Sequence, residues 1–488
     1  MTSLKRLSEL TGGSVIGDAS VELTSAAIGS ADVLPGGLFC AVPGAKAHGA
    51  SFAAGSSAAA VLTDAAGAAI ISDATSPDQL PILVVGDVRE WMGPVAAEIY
   101  GHPSRDMTVV GITGTSGKTT TSYLAEAAFM ATGAKVGIIG TTGTRIDGRA
   151  IPTKLTTPEA PTMQSLLAHM RDEQVTHVIM EVSSHALELG RVSGIDFDVA
   201  SFTNLSQDHL DFHPTMEDYF QAKASLFDMT TNAVVCVDDD WGRRMADLAA
   251  QKGSVIRVGE DWRIDEVEVR QNGRQDIVAT AGGRTLHYSI SMAGAFNQVN
   301  SLIALACVSA LGGDVNVAAA GIADVHVPGR MQLVDEGQDF IAMVDYAHKP
   351  GAVAAVLDNL KDYRRIGIVL GAGGNRDADK RPVMGKWAGA LADAVFVTDD
   401  NPRDEDPEAI RESVYRGAVE AGQADTIVNI ADRAEAIAAA VDWAEPGDAI
   451  VVAGKGHEKG QLVRGVMYDF DDVLVVQEAL RRKVGGEA

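Results

Sequence analysis

The chain is short of three things: cysteine, positive charge and long apolar runs. Its three cysteines, Cys40, Cys236 and Cys307, are an odd set without close spacing. That excludes a disulfide framework and reads as buried thiols in a reducing compartment. Lysine and arginine number 40 against 66 aspartates and glutamates, a formal net charge of −26. Such a balance argues against a nucleic-acid or anionic-membrane partner. It also means that any phosphorylated ligand must be held by a locally basic site against an unfavourable overall field. No apolar run reaches 18 residues, and Met1–Asp18 has no apolar segment followed by a cleavage site. The expectation is a soluble, cytoplasmic protein without membrane insertion, acting as a monomer. Internal repeats and low-complexity tracts are also missing. What is there is 46% hydrophobic and 22% charged, the balance of a well-packed globular protein. A length of 488 residues suits about three domains.

The most informative stretch is Val109-Val110-Gly111-Ile112-Thr113-Gly114-Thr115-Ser116-Gly117-Lys118-Thr119-Thr120-Thr121. An apolar run, a glycine-spaced turn and Gly-Lys-Thr opening a helix make a phosphate cradle. Glycines let successive backbone N–H groups converge on an anion, and the helix N-terminus adds its dipole. Lys118 supplies a point charge for the outer phosphates and Thr119 a hydroxyl for Mg²⁺. Ile112 stands where the usual phosphate loop has its first glycine, so this is a tighter form, G-T-S-G-K-T-T.

Around it the sequence reads as α/β. Leu38–Val42 and Ala59–Leu62 are expected strands of a small N-terminal α/β domain, which a polar hinge at Gly101–Asp106 closes. Strands at Thr108–Ile112, Val136–Ile139, His177–Glu181, Val199–Thr203 and Ala233–Val237 alternate with helical stretches and predict a parallel sheet. From about Val255 to Ile290 the period becomes two, broken at Asn272-Gly273 and Gly282-Gly283, which predicts added antiparallel hairpins. A helix follows at Asn297–Leu311. The turn Val327-Pro328-Gly329-Arg330 is the second boundary. Beyond it, strands at Phe340–Val344, Ile366–Leu370, Ala394–Thr398 and Ala449–Val452 predict a doubly wound, Rossmann-like domain. The boundaries are thus 1–102, 103–328 and 329–488.

Ligands bind at the carboxyl ends of strands in such sheets, and polar residues collect there. His177–Glu181 ends in a carboxylate, a suitable Mg²⁺ ligand beside a triphosphate, followed by Val182-Ser183-Ser184-His185. The loop Thr203–His213, with Asn204, Asp208, His209 and Asp211, is dense in metal-capable groups. Lys223 is a single lysine on the mostly apolar stretch Tyr219–Phe227. Each has a plain alternative: Glu181 a helix cap, His209 a hydrogen-bonded loop histidine, Lys223 a snorkelling side chain. Beside the phosphate loop, the set favours the functional reading. The third domain offers Asp345–Pro350, with Asp345 placed to accept hydrogen bonds from a ribose. It also offers Gly371–Asp377 with Arg376, Asp399–Arg403, and Gly454-Lys455-Gly456-His457-Glu458. Arginine, carboxylates and backbone amides together are what binding a zwitterion requires.

Gly114–Thr120, Glu181–His185, Asn204–Asp211 with Lys223, Asp345–Pro350, Asp400–Arg403 and Gly454–Glu458 together resemble the Mur ligases. The resemblance covers essentially the whole chain. Order and spacing are similar to those members that add the third amino acid to UDP-MurNAc-L-Ala-D-Glu. It implies a UDP-binding N-terminal domain, an ATP-binding central domain and an amino-acid-binding C-terminal domain. It implies ATP-dependent amide formation through an acyl phosphate in peptidoglycan precursor synthesis, with Thr119 and Glu181 on one Mg²⁺. His209 and Lys223, the latter as a carbamate, would serve a second. ATP-binding positions are Gly114, Thr115, Ser116, Gly117, Lys118, Thr119, Thr120, Asn297, Arg330 and Asp345. For the sugar nucleotide the family positions are Ile28, Ser30, Ala45, Lys46, Ala47, Thr156, Thr157, Ser183 and Arg191.

Two departures stand out: Gly29-Ser30-Ala31 where Asp-Ser-Arg is usual, and Leu189 at a commonly polar position. In the family, D-N-P-R goes with meso-diaminopimelate as the added amino acid. The amino-acid set is then Arg376, Asp400, Asn401, Pro402, Arg403, Gly454 and Glu458. The arginines suit the distal carboxylate and the acids the distal ammonium, whereas lysine would leave the arginines unpaired. Alternatives are the same ligase adding L-lysine, a folylpolyglutamate synthase-like ligase, and a P-loop switch or regulatory protein. The P-loop switch reading gives neither Lys223 nor the third-domain set a role, and a regulatory protein would bind ATP but release no phosphate.

Overall fold

The computed structural model describes residues 2–485 other than 77, 152, 154, 210, 211, 271 and 272. Asp211 and Asn272, named above, lie outside the described residues. The fold is α/β throughout. The chain divides into two compact units. One comprises Met1–Arg263, Ala279–Leu286 and Val299–Ile322; the other comprises Ile264–Val278, His287–Gln298 and Ala323–Ala488.

In the first unit, the N-terminal sheet runs in the order Ser14–Ile16, Ile82–Val84, Ala60–Thr63, Gly37–Cys40, Ser25–Ala27. All but the first strand are parallel. Leu38, Cys40, Leu62 and Leu83 face Leu4, Leu7 and the helix Val88–Tyr100. The segment expected as a polar hinge is a packed turn. Gly101 ends the helix in the left-handed conformation, and Pro103–Asp106 form a 3₁₀ turn with Pro103 and Ser104 buried. Ser104 Oγ accepts from Asp196 N at 3.1 Å, which ties the turn to the next sheet.

That second sheet places Val136–Gly140, His177–Glu181, Thr108–Thr113, Val199–Phe202, Asn232–Cys236 and Ser254–Val258 side by side, all parallel. Gly143–Ile146 and Arg149–Ile151 continue it antiparallel. The register sets Glu181 opposite Ile112 and Phe202 opposite Thr113, so three strands finish at one level. Successive strands lie on opposite sides of Thr108–Thr113, which makes its carboxyl end a topological switch point. Ser254–Val258 is a parallel strand, although its sequence starts the period-two region. The alternating strands proper are Trp262–Val269, Gln275–Ala281 and Arg284–Ile290, with Gly282 and Gly283 both at positive φ in the last turn.

The second unit contains the sheet Ile341–Asp345, Ala449–Ala453, Ile366–Leu370, Ala394–Val397, Thr426–Asn429, parallel in that spatial order. Gln332–Leu333 adds an antiparallel edge. Separate apolar clusters cover its two faces, one around Met343, Leu357 and Met384, the other around Val344, Ile437 and Leu480. This is the expected doubly wound pattern. The sequence pattern misses the edge strands Gln332–Leu333 and Thr426–Asn429 and the hairpin Gly460–Val463/Val466–Asp469. Among the described residues, no helix is long and apolar enough to cross a membrane.

Candidate active site

The loop Gly114–Gly117 leaves the switch-point strand in conformations that side chains avoid. Gly114 has φ 148° and Gly117 φ 86°. A Cβ on Gly114 would stand 1.9 Å from Thr203 Oγ1, and one on Gly117 2.6 Å from Asn300 Oδ1. The helix Lys118–Ala131 then begins with no side-chain cap, so its own side chains do not occupy its anion-binding end. The segment after Val199–Phe202 braces the loop. Thr115 N donates to Asn204 O at 2.9 Å, Ser116 N to Asn204 Oδ1 at 3.0 Å, and Thr203 Oγ1 to Ser116 O at 2.6 Å. Lys118 Nζ donates to Gly114 O and Thr115 O at 2.8 and 3.0 Å. Thr119 and Thr120 are buried, and Ser116 is exposed.

Glu181 ends the adjacent strand, buried. Its Oε2 accepts from Thr119 Oγ1 at 3.1 Å and from Thr141 Oγ1 at 3.0 Å, and its Oε1 from Thr141 N at 2.9 Å. Thr141 was not picked out from the sequence. Its one signal is its position just past the strand Val136–Gly140, which pairs with the strand carrying Glu181. The same carboxylate region gathers the sugar-nucleotide candidates. Thr156 Oγ1 lies 3.2 Å from Thr141 Oγ1, Thr157 Oγ1 donates to Glu181 O at 2.8 Å, and Ser183 N donates to Thr157 Oγ1 at 3.3 Å. Arg191 Nη1 donates to Thr157 O at 3.3 Å and Arg191 Nε pairs with Glu159 at 3.0 Å. Leu189 is half-buried, its carbonyl accepting from Arg89 at 3.3 Å. In the N-terminal sheet, Ile28 and Ser30 follow the strand Ser25–Ala27 and are half-buried, while Ala45, Lys46 and Ala47 are exposed on a turn closed by Gly44 N donating to Ala47 O at 3.2 Å.

Lys223, on the helix Met216–Ala224, is 1% exposed, and its Nζ donates to Gly114 O at 2.8 Å. Two lysines thus point their ammonium groups at one carbonyl of the phosphate loop. Burial first, and the Lys118 charge second, hold the Lys223 pKa well below that of an ordinary lysine, against the pull of Asp208. Its Nζ lies 4.4 Å from the Tyr219 ring centre. His209 adopts φ 54° and lies 3.5 Å from Asp208 Oδ2, with its ring 4.8 Å from that of His185. His213, which sequence reasoning left without a role, is buried and lies 2.9 Å from Ser184 Oγ. The structure therefore brings Lys118, Thr119, Glu181 and Lys223 to one loop, with His209 on the neighbouring one.

In the second unit, Asp345 ends its strand 7% exposed and accepts from Met331 N and Ala347 N, both at 2.8 Å. Burial raises its pKa, and the Arg330 charge opposes that shift. The Arg330 guanidinium lies 4.7 Å from the Tyr346 ring centre. Asn297 is buried and donates to Ala293 O at 2.7 Å. The turn carrying Arg330 touches the Gly454–Glu458 loop backbone to backbone, for a Cβ on Gly329 would stand 2.1 Å from the Gly456 carbonyl carbon.

Three strand ends of this sheet, at Leu370, Val397 and Ala453, stand level, so their loops share one edge as expected. Asn401 Nδ2 donates to Glu458 Oε2 at 2.9 Å, and Arg403 Nη1 donates to Gly374 O at 2.5 Å. Arg403 also adopts φ 54°, a strained conformation for a side-chain residue. Its backbone pairs with the hairpin, Arg403 N donating to Leu462 O at 3.0 Å and Arg464 N to Arg403 O at 2.7 Å. Burial, then the Asp400 charge, raise the Glu458 pKa. Pro402 is buried, Gly454 has φ 117°, and Arg376 is exposed on the first of the three loops. Sequence reasoning gave no role to two buried cations behind these loops, Lys455 and Arg433. The Arg433–Asp472 pair, at 2.7 Å, is wholly buried, and Arg433 Nη2 donates to Ala453 O at 3.0 Å.

The sequence matches the Mur ligase middle domain over residues 112–308 and the Mur ligase glutamate ligase domain over residues 329–456. It is 52% identical to the UDP-N-acetylmuramoyl-L-alanyl-D-glutamate–2,6-diaminopimelate ligase of Corynebacterium glutamicum, over 96% of this chain and 93% of that one. A solved structure of a ligase with the same name superposes with a TM-score of 0.72 at 29% identity, covering 99% of both chains. A folylpolyglutamate synthase from Mycobacterium tuberculosis, complexed with ADP and AMPPCP, shares the fold at 19% identity and a TM-score of 0.60, covering 80% of this chain and 94% of its own. The chain belongs to the Mur ligase family, and it is an enzyme of the ligase class.

Proposed function

We propose that this ligase joins meso-diaminopimelate to the D-glutamate side-chain carboxylate of UDP-MurNAc-L-Ala-D-Glu at the expense of ATP, in the cytoplasm and as a monomer. The observation that carries the reading is the convergence of Lys118 and Lys223 on Gly114 O beside Glu181. A nucleotide switch or motor needs the first lysine and has no use for the second. The division into a UDP-binding part (1–102), an ATP-binding part (103–328) and an amino-acid-binding part (329–488) belongs to the same proposal.

In the first half-reaction, a carboxylate oxygen of D-glutamate attacks the γ-phosphorus of ATP. The bond to the bridging oxygen breaks, giving ADP and an acyl phosphate. Backbone N–H groups where the loop enters the helix Lys118–Ala131 and the Lys118 ammonium receive the phosphate charge as it shifts. Asn297, Arg330 and Asp345 serve the nucleoside. In the second, the amine attacks the acyl carbon, and the tetrahedral intermediate expels phosphate to leave the amide. Thr157, Ser183 and Arg191 orient the acceptor. Ile28, Ser30 and Ala45–Ala47 meet the uridine, where Gly29 and Ala31 supply fewer polar contacts than the family's usual pair.

Thr119 Oγ1 and the Glu181 carboxylate, 3.1 Å apart, are hard oxygen donors that fit Mg²⁺. A Mg²⁺ held by these two residues would supply charge neutralisation for the phosphoryl group in transfer. Lys223 fits a metal beside His209 only as a carbamate. Its suppressed basicity supplies the neutral amine that this requires: nitrogen bonds to the carbon of CO₂ and one proton leaves. Arg376 and Arg403 take the distal carboxylate of diaminopimelate, and Asp400 and Glu458 its distal ammonium, with Asn401, Pro402 and Gly454 shaping the pocket. The test is phosphate release from ATP with the UDP-dipeptide plus diaminopimelate or lysine in turn. Release with neither amino acid, or without the UDP-dipeptide, refutes the proposal.

A further inference from the structure

We infer that Lys455 is a positioning residue for amino-acid selection, holding the Asp400–Arg403 loop, Glu458 and the hairpin Gly460–Asp469 in one arrangement. The inference deepens the amino-acid site proposed above and rests on it. Lys455 is wholly buried, where an ammonium is costly unless every N–H is engaged. Its Nζ lies 3.1 Å from Asp400 Oδ1, donates to Asn401 Oδ1 at 3.1 Å and donates to Gly460 O at 2.8 Å. Two hydrogen bonds and one ion pair thus surround the ammonium group, the Asp400 contact being a close pairing of charges without hydrogen-bond geometry.

The partners belong to two pieces of the site. Asp400 and Asn401 stand on the loop after Ala394–Val397, and Gly460 opens the hairpin. Asn401 relays the constraint: its Oδ1 also accepts from Leu462 N at 2.9 Å, and its Nδ2 donates to Glu458 Oε2 at 2.9 Å. Lys455 fixes the Asn401 amide orientation, and Asn401 fixes one Glu458 oxygen, leaving the other for a ligand. The same cation balances two neighbouring carboxylates, Asp400 and Glu458, whose mutual repulsion would otherwise oppose their sharing one pocket. Lys455 itself is wholly buried behind these loops. Its effect is read through Asp400, Asn401 and Glu458.

The experiment compares Lys455→Gln and Lys455→Met with wild type. It measures KM for diaminopimelate, ATP and the UDP-dipeptide, the preference for diaminopimelate over lysine, and thermal melting. The expected result is a rise in amino-acid KM of about 10- to 100-fold, the usual consequence of a small misplacement of binding groups. KM for ATP and the UDP-dipeptide should stay within about twofold, and the amino-acid preference should shrink. Lys455→Gln, which keeps amide donors, should be the milder variant. Folded variants with unchanged amino-acid KM and preference overturn the inference. So does an equal rise in all three KM values, and so does failure of both variants to fold, which would make Lys455 a stability element. Wild type preferring lysine would instead overturn the diaminopimelate reading; the Lys455 inference would then be judged on KM for lysine.

Discussion

Replacing Arg403 separates two things this residue does, one through its guanidinium and one through its backbone. The guanidinium is proposed to meet the distal carboxylate of the amino acid, held by its bond to Gly374 O. The backbone sits at φ 54° between Leu462 O and Arg464 N. Arg403→Ala removes the first and keeps the second. Losing one partner of a buried charge pair costs about 2–5 kcal/mol, which is about 30- to 5,000-fold in kcat/KM at roughly 1.4 kcal/mol per decade. Arg403 is half-buried, so solvent screening places the expected loss near the lower bound, roughly 30- to 100-fold. It should appear in KM for diaminopimelate, with KM for ATP nearly unchanged. Discrimination against lysine should shrink, because the unpaired arginine that penalised lysine has gone. Arg403→Gly should show the same kinetics with a more stable fold, by about 1 kcal/mol relative to Arg403→Ala, since glycine adopts positive φ without strain. Steady-state kinetics with both amino acids and thermal melts of both variants test this. Full preference for diaminopimelate in Arg403→Ala would refute the pairing, and equal melting of the alanine and glycine variants would refute the strain.

Lys118→Ala should abolish ligation and leave the melting temperature close to wild type, because the side chain is a charge at a loop rather than part of a core; normal turnover would remove this loop from the mechanism. Lys223→Ala should be nearly inactive and regain part of its activity with added short carboxylates, and a mass spectrum together with a structure showing unmodified Lys223 far from any metal would sink the carbamate. Gly114→Ala should lose ATP binding by calorimetry, because its Cβ would fall 1.9 Å from Thr203 Oγ1; unchanged affinity would show that the loop tolerates a different path.

The phosphate loop and Glu181 were legible because they are local. Strand, glycine turn, helix and a carboxylate ending a strand are all patterns within a few residues. Lys223 was legible as an anomaly, a single lysine in the mostly apolar stretch Tyr219–Phe227, although its carbonyl partner lies 109 residues away. Thr141 was not, since a threonine after a strand looks the same whether or not a glutamate from the next strand reaches it. Lys455 has no role legible in its motif, because its meaning lies in contacts more than 50 residues away, with Asp400 and Asn401. Thr426–Asn429 escaped because an edge strand with half-buried residues carries neither an apolar run nor clean alternation. The uridine-side residues Ile28, Ser30 and Ala45–Ala47 have little chemistry of their own, and only the family resemblance marks them.

The contact between Gly329 and Gly456 turns two loops into a single lever. With no side chain at either position, there is no soft material between the backbone that carries Arg330 and the backbone that carries Glu458. A push on one turn is delivered to the other almost undamped. With Arg330 on the nucleotide and Glu458 on the amino acid, as proposed, free energy gained by settling Arg330 would be felt at the other loop, and thermodynamic reciprocity would return the same amount in the opposite direction. A bulky residue at either glycine would act as a wedge, and its first symptom would be two ligands that no longer sense each other.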